Sequence, residues 1–329
     1  MTQQQPGPGA ARRPPPPAPA PAAAPVNRVL LKQATSGLIH NEPLRIVVHG
    51  AGAVGMTTLP ANAPKCRILG AEDGTAAIPV FGRRVPDSWA AMLDILDQLR
   101  TDEHNYRSVA IDTLDWLEPM CWAHVCTAAK KPDIEAFGYG KGYIAALSEW
   151  RVFLAKLQAL ITGKRMNVIL IAHSVCKGFK NPDADQGDYD RYMLKLHEKT
   201  SGLVKEWAKA VLFCNYERAT VEKDGRNKGV DTGKRMMYTR MSAKHDAKNR
   251  LWLQAEIPLS WAALIRAIKS GEDLRKRWAE ALDKVDDRAR AEAQEFIEQE
   301  DYDPVKIAET IEGLKALAAN VSPSAPVQK

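Results

Sequence analysis

An apolar run, Arg45–His49, leads directly into Gly50-Ala51-Gly52-Ala53-Val54-Gly55-Met56-Thr57-Thr58. Glycines at such a strand exit let backbone N–H groups curl around a phosphate, in the pattern G-x-x-x-x-G-K-[ST]. In that pattern the lysine meets the β and γ phosphates and the hydroxyl holds Mg²⁺. Gly50, Gly55 and Thr57 occupy the required positions, with Gly52, Val54 and Thr58 filling out the loop, but Met56 stands where the lysine belongs. Methionine has a similar length and neither charge nor donor. The expectation is weak nucleotide binding through backbone N–H groups, helix dipole and metal, with hydrolysis falling steeply. Lys141, Lys177 and a neighbour's Lys248 are the candidates for replacing the charge, and spacing supports none of them.

Three more residues could serve such a site. Asp112 ends the buried run Val109-Ala110-Ile111, where a carboxylate can orient the Mg²⁺ shell around Thr57; the same position also suits an acid capping the next helix. Glu72, in Glu72-Asp73-Gly74 after the second strand, could orient or deprotonate an attacking water, or be a solvated turn acid. His173 follows the run Asn167–Ala172, where its ring could sense the γ-phosphate or pack as a strand-end histidine.

These residues need a framework that delivers strand ends to one edge. From Arg28 to about Lys269, short β-branched runs alternate with amphipathic segments, the pattern of parallel strands joined by crossover helices. Strands are expected at Arg45–His49, Cys66–Leu69, Ser108–Ile111, Asn167–Ala172 and Ala210–Tyr216. A helix capped by Asp87 should bury Trp89, Met92, Leu93, Leu96 and Leu99. Another, after Gly138–Gly142, should bury Ile144, Leu147, Trp150, Leu154, Leu157 and Ile161. Met1 to about residue 27 is rich in Pro and Ala and reads as a disordered tail. Residues 270–319 read as a helical appendage, and 320–329 as a polar tail.

The chain has 329 residues, 45% of them hydrophobic, enough for one large α/β domain. No run reaches the roughly 18–20 apolar residues of a membrane span. The five cysteines are odd in number and lack CxxC spacing, which argues against a disulfide framework or zinc site and for reduced thiols in a cytosolic protein. A net charge of +6 tilts toward a polyanionic partner. That charge concentrates between Arg218 and Arg250, where ten Lys/Arg face four Asp/Glu. The segment reads as a β-hairpin with a polar turn around Lys223–Gly233, then a loop. Lys234, Arg235 and Arg240, with Tyr238 among them and Tyr216 adjoining, have the composition of a surface that tracks phosphates and stacks bases; a solvated hairpin face has it too. The segment Ser174–Tyr192, with Lys177, Phe179, Tyr189 and Arg191, is expected to be a loop beyond the same strand ends.

The stretches GAGAVGMTTLPANAP, AEDGT, AIDTLDWLEPMCW, FGYGKGY, VILIAHS and AKNR, in that order, resemble the phage-encoded AAA-type, RecA-like ATP-binding proteins of single-strand annealing and recombination. The resemblance implies an α/β P-loop NTPase core, with a mainly parallel, RecA-like sheet flanked by helices. It further implies ATP and Mg²⁺ as cofactors, homo-oligomers with ATP between subunits, and single-stranded DNA as partner in the cytoplasm of a bacterial host. Carried over by position, Gly50, Gly55 and Thr57 fall on the phosphate loop, Asp112 on the metal-orienting acid, Glu72 on the catalytic carboxylate and His173 on the sensor. Lys248 and Arg250 of AKNR fall where trans-acting fingers or plain phosphate contacts would lie. Met56, Pro60 within the helix behind the loop, and Gly70 in place of an acid depart from the pattern, so the Walker A motif is degenerate. Two functions from different classes follow: a DNA-recombination ATPase with impaired hydrolysis, or a non-enzymatic single-stranded DNA-binding or annealing scaffold.

Overall fold

The strands form where apolar residues alternate between two opposite faces. In β1 (Arg45–Gly50), Val47 enters one core while Ile46 and Val48 enter another; in β5 (Asn167–Phe179), Val168, Leu170 and Ala172 oppose Ile169 and Ile171 in the same way. Strands buried on both faces require helices on both sides, the condition met by parallel sheets with crossover connections. In the computed structural model, which describes residues 42–70, 82–180, 187–223, 226–299 and 303–320, this is the arrangement found.

The remaining strands are β2 (Cys66–Gly70), β3 (Gly82–Arg84), β4 (Ser108–Asp112), β6 (Tyr189–Leu194), β7 (Ala210–Lys223), β8 (Arg226–Tyr238), β9 (Lys248–Asn249) and β10 (Glu256–Pro258). The sheet order is β10-β8-β7-β1-β5-β4-β2-β3, with β6 paired to β5 and β9 to β7. β7-β1-β5-β4-β2-β3 are mutually parallel; β8, β9 and β10 are antiparallel additions. This is an α/β fold, a mostly parallel sheet with helices on both faces.

Helices α2 (Trp89–Thr101), α3 (Leu114–Ala128) and α4 (Lys141–Lys164) cover one face, where Trp89, Trp150 and Phe153 pack together with ring centroids 5.3–5.5 Å apart. The cap of α2 is Ser88, whose hydroxyl accepts from Ala91 N, and not Asp87, which instead accepts from Ser88 Oγ. In α4, Ile144 is exposed and Leu147 only half-buried, while Phe153 and Leu160 are buried, so the apolar stripe lies further round than the spacing suggested. The opposite face is covered by α1 (Thr58–Ala61) and the first half of α6 (Trp261–Leu282). The second half of α6 joins α7 (Asp287–Gln299) and α8 (Pro304–Asn320) in a separate core of Leu274, Trp278, Leu282, Ile297, Ile307 and Ile311. One more helix, α5 (Glu198–Trp207), precedes β7.

Two differences from the sequence reading matter for the site. β5 does not stop at Ala172 but runs to Phe179 and pairs antiparallel with β6, so the expected loop is a β-hairpin. The helix behind the glycine loop is a single turn. Pro60 withholds an N–H from it, and Pro64 disfavours helical backbone at Ala63, which together explain the early stop.

Candidate functional site

β1 ends at Gly50, whose missing side chain is required: a Cβ there would lie 2.3 Å from the Cys214 carbonyl of β7. The loop then turns through Ala53 (φ 65°) and Gly55 (φ 101°), the latter a left-handed backbone that favours glycine. Ala51, Gly52, Ala53 and Thr58 are exposed, and Gly55 and Thr57 half-buried. Val54 and Met56 turn inward: Met56 is 5% exposed and packs in the apolar cluster with Val54 and Leu59. Position 56 therefore carries no charge and faces the core. A one-turn α1 also gives the loop little of the expected helix dipole.

Asp112, at the carboxyl end of β4, is 2% exposed and separated from β1 by β5 alone. It is not the cap of α3, whose N-cap is Thr113; the peptide between them is cis. The donors that could share a magnesium ion are the Thr57 hydroxyl and the Asp112 carboxylate. Mg²⁺ is commonly held by one or two such groups together with substrate phosphates and water. Among the described residues, none groups three or more His, Cys, Asp and Glu for a metal. The group that does not fit a phosphate site is Met56. Glu72 lies outside the described residues.

His173 pairs with Gly50 across β1 and β5. Its backbone N–H and Nδ1 both donate to Asp115 on α3, at 2.9 and 3.0 Å, and Lys195 Nζ approaches the same carboxylate at 3.7 Å. Burial alone would raise the Asp115 pKa, but the His173 hydrogen bonds outweigh it and hold the carboxyl below its ordinary value. Asp115 is the residue the sequence reading missed. Its signal was there: an acid three residues beyond Asp112, in the first turn of a helix.

Beneath the loop, His49 is fully buried, bonded to Ser174 Oγ at 2.9 Å and to the Asp246 carbonyl at 2.8 Å. A carbonyl only accepts, so Nε2 donates to it and Nδ1 accepts from Ser174. Burial pulls the His49 pKa down to about 4. Phe213 lies tilted against it and stacks with Tyr192 and His245.

The basic residues divide by task. Lys234 is exposed, 3.4 Å from Glu217. Arg240 is bound to Asp303 at the start of α8, at 2.6 Å. Lys248 Nζ donates to the carbonyls of Lys205, Glu206 and Ala208 at 2.7, 3.0 and 2.7 Å, closing the end of α5. Arg250 is exposed. Arg235 leaves the hairpin for the glycine loop, donating to the Val54 carbonyl at 3.4 Å. In the β5–β6 hairpin, Arg191 is buried over the rings of Phe179 and Tyr189, 4.2 and 5.3 Å from their centroids.

Comparison with known proteins adds the following. No curated protein matches the sequence. Among solved structures, that of the RadB recombinase is similar, at 14% identity and a TM-score of 0.36, covering 68% of this chain and 90% of that one. A family model described as an AAA domain matches residues 42–251, which hold the glycine loop, Asp112, His173 and both hairpins. With more than half its length matched, the chain belongs to this AAA-domain family.

Proposed function

We propose that this chain is a RecA-like nucleotide-binding protein that acts on single-stranded DNA in phage recombination or replication, works as a homo-oligomer in the bacterial cytoplasm, and hydrolyses ATP poorly. The observation that carries the reading is the glycine loop, set at the carboxyl end of β1 and one strand away from the basic β7–β8 hairpin. Ligands of open α/β sheets bind outside the carboxyl ends of the strands. Gly50 and Gly55 shape the phosphate cradle, Thr57 and Asp112 hold Mg²⁺, and His173, fixed by Asp115, reads the γ-phosphate. Lys234 and Arg250 are the exposed cations best placed to meet DNA phosphates. No helix among the described residues is long and apolar enough to cross a membrane.

The scaffold reading draws on one observation, the burial of Met56, which leaves phosphoryl transfer without its usual charge. Titration calorimetry with Mg-ATP on the full chain and on Asp112→Ala separates the two. Saturable binding weakened by the substitution supports the nucleotide site. Absent binding, alongside salt-dependent capture of single-stranded DNA, would leave the scaffold.

A further inference from the structure

The guanidinium of Arg235 rests on the backbone of the glycine loop. Its Nη1 is 3.4 Å from the Val54 carbonyl, and a Cβ on Gly55 would stand 2.5 Å from Nη1 and 3.5 Å from Cζ. Gly55 is needed for its φ of 101°, and the space its missing side chain leaves is taken by the guanidinium. Strand register sets the residue there. Arg235 pairs with Tyr216 of β7, and its carbonyl accepts from Leu259 N at 2.8 Å, so the backbone is held from both sides.

We propose that Arg235 is the nucleotide-phosphate cation of this chain, taking from the neighbouring strand the task that Met56 cannot perform from within the loop. The ligand class is a nucleoside triphosphate with Mg²⁺, engaged at its β and γ phosphates; the inference rests on the nucleotide-binding reading above. A guanidinium offers five donors in a planar fork that matches phosphate oxygens, and it keeps its charge at every physiological pH. Its bond to Val54 is long and to a neutral oxygen, so a phosphate entering the cradle offers a shorter, charge-assisted replacement within a small swing of the side chain. Lys234, the adjacent cation, turns to Glu217 instead.

The test is titration of the full chain with Mg-ATP and, separately, with inorganic tripolyphosphate, for wild type, Arg235→Ala, Arg235→Lys and Lys234→Ala. Circular dichroism confirms the fold of each. Expected are a loss of about ten- to a hundredfold for Arg235→Ala with both probes, partial retention for Arg235→Lys, and no change for Lys234→Ala. Wild type that binds while Arg235→Ala binds equally well overturns the role of Arg235 and leaves the nucleotide site standing. Equal losses from Lys234→Ala and Arg235→Ala reduce the effect to general charge and overturn it as well. Wild type that binds neither probe removes the nucleotide reading itself.

Discussion

At the scale of single residues, Met56 joins stability to affinity. Lysine at this position must leave the apolar cluster or bury its charge, so Met56→Lys should cost the nucleotide-free protein about 2 kcal/mol, a fall in Tm of roughly 4–8 °C. The same substitution should tighten Mg-ATP binding by about ten- to a hundredfold and raise Tm again when Mg-ATP is present. Differential scanning fluorimetry with and without Mg-ATP reads both effects; a variant with unchanged Tm in either condition would show that position 56 touches neither core nor ligand. His49 carries a pH signature. Its folded-state pKa near 4 lies below the ordinary 6.5, because burial penalises the cation, so the unfolded chain takes up a proton the native one refuses. Stability is unaffected by this group above pH 6.5, falls as pH drops from 6.5 to 4, and levels off below. The whole effect is about 3 kcal/mol. Urea midpoints for His49→Gln should decline less between pH 7 and 4 than those of wild type; His245, also pulled down by burial, supplies part of the remaining slope. Glycine spacing made Gly50, Gly55 and Thr57 legible in the sequence. Arg235 was not, because its place at the loop is set by the register of a strand more than 170 positions away.

At the scale of elements, Lys248 ends a helix. Its ammonium holds three backbone carbonyls at the close of α5, so Lys248→Ala should cost about 2 kcal/mol in urea unfolding, with local loss of amide protection over α5. A trans-acting role for the same side chain would require it to abandon those carbonyls. In the β7–β8 hairpin, neutralising Lys234 and Arg235 together should flatten the salt dependence of single-stranded DNA binding, measured without nucleotide, by about 0.7 for each DNA phosphate that is no longer neutralised. An unchanged slope would place the DNA on another face. The central parallel strands were readable because burial on both faces leaves continuous apolar runs. The outer half of β5 was not: Ser174 to Phe179 mixes polar and apolar residues, and only its pairing with β6 makes it a strand. The shortness of α1 was partly legible, Pro60 having marked a disruption, while Pro64 completes it.

At the scale of the whole molecule, two cores flank the sheet and a third lies among α6, α7 and α8. Because Ile311 belongs to the third, Ile311→Ala should cost about 2–5 kcal/mol there. Hydrogen exchange should speed in α7 and α8 while Mg-ATP affinity stays as it was; a matching loss of affinity would show that the third core supports the site. Arg240 and Asp303 tie this unit to the β8 side of the sheet. The pairing of Gly50 with Cys214, which leaves no room for a side chain at position 50, has a mechanical meaning. Beyond Cys214, β7 continues for nine residues to Lys223, an arm of about 30 Å at ~3.3 Å per residue. With Gly50 set beside its root, a tilt of about 5° there would displace the Lys223–Arg226 end by roughly 3 Å, so that a small change at the glycine loop is amplified along the hairpin.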